Sequence, residues 1–364
     1  MEPLAHTLIG ATLGHLATRR AGGESAERGL LVAGIVAANV PDVDVLAYAL
    51  GSDFALGFRR GITHGVIAMA FWPLLLTPLL GWWRGRGRPL PGTGSVSARL
   101  VGVVALACWS HPLLDWLNNY GIRLLIPFDQ RWFYGDVAFI VDPWMWLVLG
   151  GGIVLARAPG ARERRRWLVL ALICAAAVAA SPTPVWARAV WLLALLAVAL
   201  LARSDRLAPS RAPAAVALAS FLLYVALLAG AARDSRHRVA RIAEVDATHE
   251  GIPGRRLMVG PVLLDPLRRQ VVLRVRDGYR IGAYRLGSGA IDWRDPLPAG
   301  DRDPAAAAAW EDRRVAGFAR WVRFPYHRIV EEPEGRFVYL LDARYATAPT
   351  TSFGGARVRA EPVD

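Results

Sequence analysis

Up to about residue 233 the chain repeats apolar runs of roughly 15 to 21 residues, with arginine clusters between them. A helix of that length buries its backbone polar groups but leaves apolar side chains all round, which suits a bilayer and not water. Residues 234 to 364 are polar and strand-like by contrast. The fold expected is mainly α: a polytopic transmembrane helical bundle over 1–233, then a C-terminal extramembrane β-rich (α+β) domain over 234–364.

About eight hydrophobic segments are expected. They are Leu4 to Thr18, which is short for a span, Gly29 to Val40 ending at Pro41, His64 to Trp83, Leu100 to Leu117, Phe139 to Ala156, Trp167 to Ala180, Trp186 to Ala202 and Ala214 to Ala232. Arginine-rich loops at 84–99, 157–166 and 203–211 assign the cytoplasmic side. Alternation then puts 41–63, 118–138, 181–185 and everything after 233 on the outer side of a cell inner (cytoplasmic) membrane. Arg233, Arg236, Arg238 and Arg241 oppose that assignment, although a long folded domain translocates despite such charges.

The formal charge is +13 and there is no lysine. Most arginines of the first half sit between apolar runs, so they read as orientation signals and not as a nucleic-acid surface. Cys108 and Cys174 both lie inside apolar runs and are expected as small core residues, not as a disulfide or thiolate ligands. Met1-Glu2-Pro3 lacks a basic n-region, so no cleavable signal peptide is expected. In the second half, Val259 to Leu264, Gln270 to Val275, Tyr279 to Leu286 and Phe337 to Leu341 read as strands, with Asp277-Gly278 as a hairpin turn and Ala305 to Trp321 as a helix.

His111 and Asp115 stand four residues apart near the end of an apolar run, on one helix face. The topology gathers further candidates at the same outer face: His6, Asp42, Asp44, His64, Asp136 and Asp142. Ionisable groups are costly in lipid and turn toward an interior or a cavity, so their convergence points to a site. Imidazoles with carboxylates suit zinc, manganese or iron, and Asp115 is placed to bridge two ions. Plainer readings stand beside each candidate. Asp42 and Asp44 after Pro41, and Asp142 before Pro143, are also good helix caps; His111 with Asp115 is also a packing hydrogen-bond pair; Arg60 and Arg123 are phosphate binders or structural ion pairs. His15 falls on the face opposite His6, and His237, His249 and His327 read as surface histidines. No Gly-x-Ser-x-Gly elbow or phosphate loop supports another chemistry.

His6-Thr7-x-x-Gly10, Pro41-Asp42-x-Asp44, Arg60-Gly61-x-Thr63-His64, Ser110-His111-Pro112-x-x-Asp115 and the region Asp136 to Pro143 resemble the YdjM-like, LexA-regulated inner-membrane metal-dependent hydrolases. That family is in turn distantly similar to zinc-dependent phospholipase C and P1 nuclease, all-helical phosphate-ester hydrolases. The resemblance implies that His111 and Asp115 form a ligand pair with Asp115 bridging, and that His6, Asp42 and His64 complete the metal positions. It departs from those soluble enzymes in two respects. Their processed N-terminal amino group has no counterpart expected behind Met1-Glu2, and the further His and Glu ligands of a third zinc find no match.

The function expected is therefore a membrane-bound hydrolase of a phosphate-ester or lipid-like substrate, with one or two divalent ions, zinc first and manganese or iron as alternatives. Asp42 or Asp44 would serve as base, with Arg60, Asp136 and Asp142 around the metal or substrate. An ion- or proton-coupled transporter and a non-enzymatic envelope protein are the alternatives. The partners expected are the bilayer and a small-molecule or lipid substrate, not nucleic acid, with the partner of the C-terminal domain left open.

Overall fold

The computed structural model describes residues 1–18, 23–85, 97–157, 160–204, 209–243, 257–300 and 303–360. Arg19, Arg20, Arg86, Arg88, Arg206 and His249 lie outside the described residues, as does the side chain of Arg84. Two compact units emerge: Met1–Asp42 with His64–Gly230 and Pro261–Pro266, and Val43–Thr63 with Ala231–Gly260 and Leu267–Asp364. The chain thus leaves the first unit after Asp42 and returns to it at His64.

The α-helices in chain order are α1 (Pro3–Leu16), α2 (Gly23–Asn39), α3 (Ser52–Phe58), α4 (Val66–Gly85), α5 (Ala98–Trp116), α6 (Pro143–Arg157), α7 (Ala161–Ala180), α8 (Val185–Arg203), α9 (Ala212–Ile242), α10 (Pro304–Glu311) and α11 (Ala316–Trp321). Among the described residues, four stretches are long and apolar enough to cross a membrane: Arg28–Leu50, Val66–Trp83, Val185–Arg203 and Ala212–Ile242. Large apolar side chains stay exposed along these helices, including Phe71 and Leu74 on α4, Leu193 and Leu196 on α8, and Leu222 and Leu223 on α9. A surface this apolar matches lipid.

The first unit is tied together by close backbone approach. A Cβ at Gly10 of α1 would lie 2.4 Å from the Gly34 carbonyl oxygen of α2, and one at Gly34 would lie 2.2 Å from that of Gly10. Only glycine at both positions lets the two helices meet this closely, the small-residue packing common in bilayers. α2 then passes at Asn39 into a 3-10 helix, Val40–Leu50, as Pro41 withholds an N–H from the α-helical ladder.

The second unit carries an antiparallel sheet in the order β1 (Leu257–Val262), β2 (Asp265–Val275), β3 (Gly278–Arg285), β4 (Ile291–Trp293), with β5 (Leu297–Pro298) pairing β3. A three-stranded sheet of β6 (Pro325–Glu332), β7 (Gly335–Asp342) and β8 (Gly355–Arg359) follows. Asp277-Gly278 makes the β2–β3 turn, and the Gly278 φ of 150° explains the glycine. Met258, Val272 and Ile281 share a core with Phe324, Tyr326, Phe337 and Leu341. Tyr279 donates to the Pro325 carbonyl and Tyr326 to that of Ala346, and burial pushes both phenols up to about 12.

Several expected boundaries shift. The Ala305 to Trp321 helix is broken at Asp312, whose backbone is extended and whose carboxylate caps the next turn by accepting from Arg314 N. α9 continues ten residues past Ala232, because Val239 and Ala240 pack on Val259, Val271 and Tyr284 and sustain the helix where hydropathy falls. α7 begins at Ala161 and not at Trp167, arginine being a good helix former.

Candidate metal centre

α5 delivers His111 and Asp115 one turn apart, and both side chains are wholly buried. His111 Nδ1 lies 2.6 Å from the Ala38 carbonyl oxygen, in the last turn of α2 where carbonyls lack helical partners. A carbonyl only accepts, so Nδ1 carries the proton and Nε2 keeps its lone pair for the site. That carbonyl-to-imidazole support is the usual outer partner of a metal-binding histidine.

Two other chain segments meet this face. Asp42 comes from the first turn of the 3-10 helix, and His64 from the turn preceding α4. His64 Nε2 is 3.1 Å from His111 Nε2, 3.3 Å from Asp115 Oδ2 and 3.9 Å from Asp42 Oδ1. His111 Nε2 is 3.8 Å from both Asp42 Oδ1 and Asp115 Oδ2. All four ligand atoms lie within 4.8 Å of one another. A tetrahedral ion with bonds of about 2.0 to 2.1 Å separates its ligands by roughly 3.3 to 3.4 Å, so this spacing fits a divalent cation. Two imidazoles and two carboxylates also suit zinc, manganese or iron by donor type.

His6 adjoins the group from the other side. Its ring stacks on His111 at 3.7 Å between centroids and 16° between planes, and its Nε2 is 3.4 Å from Asp115 Oδ1. Asp115 therefore turns Oδ2 to His64 and His111, and Oδ1 to His6. The Met1 amino group also contacts Asp115 Oδ1. Glu2 explains the turn inward: its carboxylate accepts from Leu4 N and Ala5 N and from Trp146 Nε1, so it caps α1.

The remaining candidates stand outside the four-residue group. Asp44 accepts from Arg60 N at 2.8 Å, Thr63 Oγ1 at 3.0 Å and Arg59 Nε at 3.3 Å, so it organises the turn just before His64. Arg60 is buried with a φ of 52°. Asp136 is buried at φ 54° in a loop whose Gly135 and Val137 N–H groups donate to the Trp116 and Leu117 carbonyls at the end of α5. Asp142 caps α6 by accepting from Trp144 N and Met145 N, and also accepts from Tyr224 Oη. Arg123 lies over the Trp132 ring, and His15 lies 3.5 Å from the Ser210 carbonyl. Sequence reasoning missed the Ala38 carbonyl, which has no side-chain signature, and gave no role to Asn118 and Asn119. Both asparagines are buried directly after α5, and the signal for them was a polar pair closing an apolar run.

An apolar helical exterior around a buried His/Asp constellation defines a membrane protein with a site able to hold a metal ion. The chain belongs to the YdjM inner membrane protein family, whose match runs over residues 1–203 and so includes every residue of the constellation. It is also 23% identical over 150 residues to the uncharacterized protein YfhP of Bacillus subtilis (strain 168), a match covering 40% of this chain and 43% of that relative. No solved structure matches.

Proposed function

We propose that this protein is a multi-pass inner-membrane hydrolase of phosphate-ester or lipid-like substrates, with its metal centre and C-terminal unit on the outer side. The supporting observation is the convergence of Asp42, His64, His111 and Asp115 within 4.8 Å among wholly or largely buried side chains. A divalent ion, zinc first, would supply Lewis acidity there, lowering the pKa of a water and polarising the bond to be cleaved. Asp42 is the ligand with solvent access, its side chain 16% exposed, and so the group that takes up the proton. A second ion, were one bound, would be held by His6 and Asp115, in place of the Met1 amino group that contacts Asp115 here. Asp44 holds the turn ahead of His64 and acts by positioning.

The test is turnover of a panel of phospholipids and phosphodiesters by detergent-purified protein loaded with zinc or manganese. Activity abolished by a chelator, and reduced at least about hundredfold in Asp115→Asn, is expected. Metal binding without turnover of any panel member would contradict a hydrolase.

A further inference from the structure

A second feature of the helical unit lies outside the His/Asp cluster. α6, α7 and α8, with Leu4 and Leu8 of α1, line an open apolar cavity of about 500 Å³. Leu147, Val154, Leu168 and Leu195 are among its walls, and Arg164, Arg165 and Arg203 line it as well. The two arginines of α7 lie in its first turns and Arg203 closes α8, the helix that follows it after a short turn, so the three arginines gather where α7 begins and α8 ends. All three are exposed, and among the described residues none of them forms a hydrogen bond or ion pair with the protein. Small residues keep the cavity open: a Cβ at Gly150 would meet only Leu8, at 3.7 Å.

We infer that this cavity is a binding site for an anionic phospholipid, its acyl chain between α6, α7 and α8 and its phosphate on Arg164, Arg165 and Arg203. The charge argument selects the occupant. An apolar wall alone accepts any lipid tail, but three cations gathered together favour a headgroup with net negative charge over one whose own amine neutralises its phosphate. Guanidinium groups also match phosphate oxygens in a planar, two-bond geometry. Arg162 and Arg166 belong to the same arginine-rich turn but do not line the cavity, and so serve as the internal control.

The experiment is native mass spectrometry of the full chain released from nanodiscs of phosphatidylglycerol and phosphatidylcholine mixed equally. Wild type is expected to retain phosphatidylglycerol preferentially. The Arg164→Gln, Arg165→Gln, Arg203→Gln triple variant should retain at least about tenfold less of it, while the three corresponding Arg→Lys changes keep most of it. Ala199→Trp, which fills the cavity and leaves every charge in place, should also lose it. Equal retention of the two lipids by wild type, undiminished retention by the triple variant, or an equal loss in Arg162→Gln, Arg166→Gln would each overturn the assignment.

Discussion

The two units differ in what they expose and in how the polar groups they bury are gathered. The helical unit keeps His6, His64, His111 and Asp115 inside and exposes leucine, phenylalanine and tryptophan. The second unit buries Trp321, Tyr326, Phe324 and Leu340, carries pairs such as Arg285–Asp292, Arg336–Asp303 and Arg357–Glu332 at its surface, and encloses a partnered ion pair, Arg344 with Asp342. Those exposed pairs contribute about 0 to 1 kcal/mol each, so the second unit stands on its apolar core. A polar interior in the first unit has no such value for stability. Buried ionisable groups destabilise unless paired or ligating, and their presence there points to function.

The sharpest way to break this contrast is one substitution made in both places. Leu193→Arg, on the exposed face of α8, should disfavour membrane insertion by about 3 kcal/mol. Leu267→Arg, also exposed but in the second unit, should change stability by less than about 0.5 kcal/mol. Insertion assays and melting curves read the pair, and similar effects at both positions would end the contrast. Next in size is Gly34→Val, which drives side-chain atoms into the Gly10 carbonyl and should destabilise the helical unit by about 1 to 3 kcal/mol in thermal unfolding.

A further test concerns alkali and the second unit alone. Tyr279 and Tyr326 stay protonated up to about 12, whereas an unfolded tyrosine releases its proton near about 10. Below about pH 10 both states hold the proton and the stabilisation is complete. Between about 10 and 12 only the folded state holds it, so stability falls as pH rises. Phenolate absorbance should show Tyr279 and Tyr326 ionising late, and Tyr279→Phe should remove one late step; prompt ionisation of all nine tyrosines would contradict the buried assignment.

What was legible in the sequence follows the same division. Hydropathy and arginine placement outline the helical segments because lipid imposes one rule on every span. His111 and Asp115 were readable as a pair because helical spacing alone puts them on one face, whereas the stacking of His6 on His111 depends on the Gly10–Gly34 crossing of α1 and α2. The C-terminal unit was less readable. β6 opens on Pro325 and runs through His327, Arg328 and two glutamates, so its strand character comes from pairing with β7 and not from its own alternation. Nor does hydropathy reveal that Val43–Thr63 belongs with the C-terminal unit: Asp53 accepts from Gly317 N and Phe318 N, a contact between residues more than 260 positions apart.

The central claim is that Asp42, His64, His111 and Asp115 form a metal centre, and elemental analysis of the full chain purified in detergent tests it most directly. At least one zinc or manganese per chain is expected, lost from His111→Ala and from Asp115→Ala while both variants remain folded and membrane-inserted. Absence of stoichiometric metal from the wild type after loading, or unchanged metal content in both variants, would contradict the account.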